Sequence, residues 1–204
     1  MTHAQRGASI VRVALPLWLG IAVVLGASGR IETLQPPAPQ LVLVALTAGT
    51  LAALWLVQSL RAWVQVVDVR WLVGFHLTRF VGVYFLLLYR QGELPYAFAV
   101  PGGWGDIVVA ALAMVLIATG PPHGSRRRIF LAWNVLGLID ILFVVATATR
   151  LAFANPLSMA ALLRFPLSLL PTFVVPLVIA IHVVLFVRLT KPSDEPRAAA
   201  GEAT

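Results

Sequence analysis

The sequence predicts an all-α integral membrane protein, a bundle of six transmembrane helices with both termini in the cytoplasm. Three observations predict it. Hydrophobic residues make up 60% and charged residues 11% of the 204 positions, whereas a soluble domain carries about 25% charged residues. With a mean hydropathy of +0.92, the chain cannot enclose its apolar residues in one aqueous core. Six apolar runs, at 10–28, 41–60, 71–89, 106–119, 129–149 and 167–189, approach the ~20 residues that cross ~30 Å of hydrocarbon. The basic residues alternate by loop. Ten of them (Arg6, Arg12, Arg61, Arg70, Arg126, Arg127, Arg128, Arg188, Lys191 and Arg197) fall on one side, and four (Arg30, Arg90, Arg150 and Arg164) on the other. Positive charge gathers in cytoplasmic loops, so this asymmetry sets the orientation in a bacterial-type inner membrane.

Residues 1–190 read as one polytopic domain and 191–204, rich in Pro, Ala and charge, as a disordered cytoplasmic tail. The first run follows Arg6 and Arg12 and is expected to be a retained helix. A cleaved signal peptide ending near Ala27 is the competing reading. The second carries Ala45, Gly49 and Ala53 at four-residue spacing, a stripe that lets backbones approach closely in lipid. Packing inside the bundle is the first expectation for it, and a homodimer interface the second. The third run contains His76 and Arg79. The fourth looks short and opens at Asp106, read as an N-cap or a weak site at the outer mouth. The fifth contains Asn134 and Asp140. After it, Asn155 and Pro156 mark a short interfacial helix. In the sixth, Pro171 and Pro176 kink the helix and free a backbone carbonyl.

An arginine at mid-span costs about 2.5–3.5 kcal/mol on insertion scales, so it needs a partner, a watery cavity or a task. At ~1.5 Å per residue, His76, Asn134 and His182 lie ~9 Å from the cytoplasmic end of three different helices, with Arg79 and Asp140 just above. Asp140 reads as the only acidic residue deep in a span and as the partner of Arg79. These five residues predict a buried polar cluster in the cytoplasmic half.

The function expected from that cluster is binding or transport of a small polar or anionic ligand, or proton relay, with Arg79 meeting the ligand. A second expectation is a b-type cytochrome with His76 and His182 as axial ligands of a haem. A third is a non-enzymatic structural or assembly partner. No catalytic residue, metal site or cofactor is otherwise expected. The chain has no cysteine, no HExxH pair, and no deep serine in helices three to six of the kind an intramembrane serine hydrolase needs. The net charge of +7 flanks apolar runs and marks no nucleic-acid surface.

Overall fold

A computed structural model describes residues 1–122 and 124–191. Residues 192–204 of the expected tail, and His123, expected in a solvated loop, lie outside the described residues. The described residues form helices joined by short turns, without a strand. The helices are α1 (His3–Ala27), α2 (Ala38–Leu56), α3 (Gln58–Val66), α4 (Val69–Phe75), α5 (Gly82–Arg90), α6 (Tyr96–Ala118), α7 (Arg126–Ala154) and α8 (Val175–Thr190). A 3₁₀ segment (His76–Val81) joins α4 to α5, a second (Pro156–Leu163) follows α7, and a π turn (Leu170–Val174) leads into α8.

Six helical stretches are long and apolar enough to cross a membrane: His3–Ala27, Ala38–Leu56, Val69–Arg90, Tyr96–Ala118, Arg126–Ala154 and Leu170–Thr190. They alternate in direction. We call the end with Thr2 and Thr190 the near end, and the end with the turns after α1, α5 and α7 the far end. At the far end Asn155 caps the second 3₁₀ segment, accepting a hydrogen bond from the N–H of Leu157 with Pro156 in the first position. At the near end Arg127 donates to the carbonyl of Leu189 and Arg188 to that of Val67, at 2.8 and 2.7 Å. Here basic side chains satisfy carbonyls at the ends of helices.

Three features differ from the sequence expectation. The second run ends at Val57, whose ψ of 106° stops α2. Gln58, Ser59 and Arg61 then belong to the separate helix α3, which packs on α1. The fourth run is a full helix from Tyr96 rather than a short one from Asp106. Pro101 and three glycines are poor helix formers. Away from water, however, an unpaired backbone group costs more than glycine entropy, so helix persists through them. Asp106 is therefore no N-cap; it lies mid-helix. The third difference is in α2, which has no buried residue. A Cβ added at Gly49 would meet nothing within 4 Å. The Ala45–Gly49–Ala53 stripe thus packs little inside the bundle, contrary to the first expectation for it.

α6 is the central helix, packed on α4, α5, α7 and the first 3₁₀ segment. Two apolar clusters bracket the middle of the bundle. Phe85, Phe98, Val144 and Met159 fill the far half, and Val73, Val109, Phe130, Trp133 and Leu185 the near half. In the last helical stretch a π turn (Leu170–Val174) runs into α8, where a backbone carbonyl is freed as expected. Pro176 lacks the N–H that would bond Thr172 four residues earlier. The indole N–H of Trp18 in α1 takes that carbonyl at 2.8 Å.

Candidate functional site

Between the two apolar clusters lie two polar layers. The nearer holds His76, Asn134 and His182, all three with 0% exposure. The Asn134 side-chain amide donates to the carbonyl of His182 at 3.0 Å, and its oxygen faces His182 Nδ1 at 2.9 Å. An amide oxygen only accepts, so in the neutral ring Nδ1 carries the hydrogen and Nε2 is left as an acceptor. His76 lies against His182 with ring centroids 4.2 Å apart and the rings inclined at 45°, and it makes an edge-to-face contact with Trp133 at 5.0 Å. Neither nitrogen of His76 nor Nε2 of His182 has a hydrogen-bond partner among the described residues. Gly137 makes this layer possible: a Cβ there would lie 2.6 Å from His182 Cε1.

The second layer is built on Arg79, which is 2% exposed. Its Nε donates to Asp106 Oδ1 at 2.6 Å and its Nη1 to the carbonyl of Gly137 at 2.9 Å. Its Nη2 pairs with Asp140. The sequence reading had one carboxylate here, and the structure has two. A helix beginning at Asp106 makes that residue an N-cap or a weak site at the outer mouth. Starting α6 at Tyr96 instead puts it about 15 Å, ten residues at 1.5 Å each, along the helix. Gly82 brings it within reach, since a Cβ on Gly82 would lie 2.9 Å from Asp106 Cβ. Gly105, next to Asp106, lies against the carboxylate of Asp140. The glycines of "PGGWGD" were the signal for a close approach at this point.

With both aspartates ionised, the three side chains carry a formal charge of −1. Arg79 is therefore not a bare cation awaiting an anion: three of its five N–H groups are already directed at protein acceptors.

A cavity of about 350 Å³ opens above this layer, within the range of small-molecule sites. Arg79 and Asp106 line it at its deep end. Glu32, Gln35 and Gln40 line it at the far end, with apolar walls such as Phe85, Val144 and Ala148 between. Asp140, His76, Asn134 and His182 are not among its lining residues. Of the six positions singled out in the sequence, the structure brings His76, Asn134 and His182 together in one layer, and Arg79, Asp106 and Asp140 in the next. The cavity itself has no sequence signal, since its walls come from α2, α5, α6, α7, the second 3₁₀ segment and the π turn.

The histidines do not fit a haem in this arrangement. A metal–imidazole bond is about 2 Å long, so two axial rings on one iron stand with centroids about 6 Å apart and a flat macrocycle between them. Here they touch at 4.2 Å. Among the described residues, no group of three or more His, Cys, Asp or Glu side chains could hold a metal.

Among the described residues, fold and site thus define an all-helical, largely apolar bundle with six helices long and apolar enough to cross a membrane, ionisable residues at its centre and a cavity leading to them. The chain belongs to a family described as a domain of unknown function, DUF8737, whose model matches residues 36–190. The match begins just before α2, so α1 lies outside it and both polar layers lie within it. No curated protein and no solved structure matches the chain.

Proposed function

We propose that this is a multi-pass inner-membrane protein, termini in the cytoplasm, that binds a small ligand in the far-half cavity and can carry it through the membrane. One observation supports this above all: the cavity ends on the buried Arg79–Asp106 pair. Buried ionised residues persist in a membrane where they face a pathway or a ligand. The walls take the apolar part of the molecule and the deep end takes its polar group. Proton relay through the same carboxylates is compatible with that role.

The test is extraction. Protein purified in mild detergent should release a co-purifying small molecule into organic solvent, identified by mass spectrometry. Ala148→Phe, which fills the cavity, should abolish it. An equal yield of the compound from that variant sinks the proposal. Orientation is tested by alkaline phosphatase fusions, expected to be active after Gly92 and Asn155 and inactive in the 120–125 loop.

A second reading, an assembly partner or homodimer, is favoured by the exposed small residues of α2. Because the chain has no cysteine, Ala48→Cys should form a disulfide-linked dimer in membranes if α2 helices meet.

A further inference from the structure

We infer that the cavity selects an amphiphile with a cationic head over one with an anionic head, the head seated at Asp106 and the apolar chain lying toward the far end. This rests on the binding reading above and adds the charge of the ligand. Two buried acceptors of the cavity lack a protein donor among the described residues. Asp106 is 3% exposed and uses Oδ1 on Arg79 Nε, while Oδ2 has no hydrogen bond among the described residues and remains for a ligand. Gln40 also lines the cavity, and its Oε1 is buried without a hydrogen-bond partner. Glu32 stands at the far end of the same lining.

Charge points the same way. The side chains that line the cavity include two carboxylates, Glu32 and Asp106, and one cation, Arg79. Asp140 holds Arg79 from the other side. An anion entering beside Asp106 would meet a guanidinium already neutralised by two carboxylates. A cation would complete the balance at the deep end, where low dielectric makes each charge count most. An ammonium also brings hydrogen-bond donors and no acceptor, the complement of Asp106 Oδ2. The ~15 Å from the start of α6 to Asp106 accommodates an eight-carbon chain.

The experiment is calorimetric titration of the protein in nanodiscs at pH 7 with n-octylamine, n-octanol and n-octanoate, using protein-free discs as the blank. Octylamine should bind at least about tenfold more tightly than octanoate, a difference of about 1.4 kcal/mol, with octanol between. Asp106→Asn should reduce the preference to less than about threefold, and Glu32→Gln, farther from the seat of the head, should weaken it by less than Asp106→Asn does. Octanoate binding as tightly as octylamine overturns the charge selection while leaving a binding cavity. Loss of the preference in Glu32→Gln but not in Asp106→Asn places the head at the mouth and overturns the seat assigned here. Binding of none of the three above the blank rejects this inference and the cavity reading together. The wild-type series decides on the preference even if Asp106→Asn does not fold.

Discussion

His76 and Arg79 stand three residues apart on one segment, yet they belong to different environments. His76 is enclosed with Asn134 and His182 by aromatic and aliphatic side chains, and no cavity reaches it. Arg79 lies at the floor of a cavity, held by two aspartates of which one lines that cavity and the other keeps 16% of its side chain exposed. Both layers are polar, buried and at mid-bundle, so depth and burial do not separate them. Access does. The nearer layer ties α7 to α8, as polar pairs between helices do, and the farther one borders a cavity.

The largest break in that contrast should come from Asp106→Leu combined with Asp140→Leu. Arg79 then has no counter-charge, and the expected loss is about 3–5 kcal/mol of stability, read as folded yield and unfolding midpoint in detergent. Adding Arg79→Leu should restore much of it, because an apolar trio suits the site. Losses that simply add, with no recovery in the triple variant, would mean the three side chains do not act as a unit.

Gly137→Ala comes next, at about 1–3 kcal/mol, since the new methyl overlaps a ring already fixed by Asn134. Gly49→Ala on the exposed face of α2 should leave the unfolding midpoint unchanged or slightly raised. Equal effects at the two glycines would contradict the packing described for both helices.

Asn134→Ala removes the acceptor of a buried imidazole N–H and should cost about 1–3 kcal/mol. Its octylamine affinity should stay at the wild-type level, because the near layer is not on the cavity. A variant that keeps its stability but loses binding would reverse the roles assigned to the two layers.

The smallest effect is expected at an exposed ion pair of the near end, which serves as the reference for the buried ones. A side-chain hydrogen bond from Arg70 is the main cause holding the Asp68 carboxyl below its ordinary value of 3.8. A carboxyl lowered on folding stabilises above its unfolded value, and that contribution fades as the pH falls through the folded one. Asp68→Asn should therefore bring only a small loss at neutral pH, because the pair is exposed, and that difference from wild type should fade as the pH falls below about 4, measured as unfolding temperature against pH. A large loss at pH 7 would show the pair to be less exposed than it is here.

How much of the site was legible follows from what each residue reports. Asn134, Asp140 and His182 stand out because each interrupts an apolar run, and counting along a helix gives their depth. Asp106 interrupts a run too, but Pro101 and the flanking glycines read as a helix start, so its depth was misjudged by about 15 Å. A proline at 95, just before the first helical position, was the better boundary signal. The second carboxylate matters because it changes the site from a formally neutral Arg79–Asp140 pair to a cluster with one negative charge in excess.

The sequence by itself determined six apolar helical stretches, the placement of basic residues between them, and the depth of most polar side chains. These follow from composition, a fixed rise per residue and the cost of ionised groups in apolar surroundings, all of which are local. Only the tertiary structure decided that Asp106 joins Arg79, that the two histidine rings touch each other, too close to flank a haem, that α2 shows its small residues outward, and that the cavity is lined by one polar layer and not the other. Those outcomes depend on which helices touch and how closely, set by Gly82 against α6 and Gly137 against His182. Such fits are made by atoms far apart in the chain, and no spacing along one helix records them.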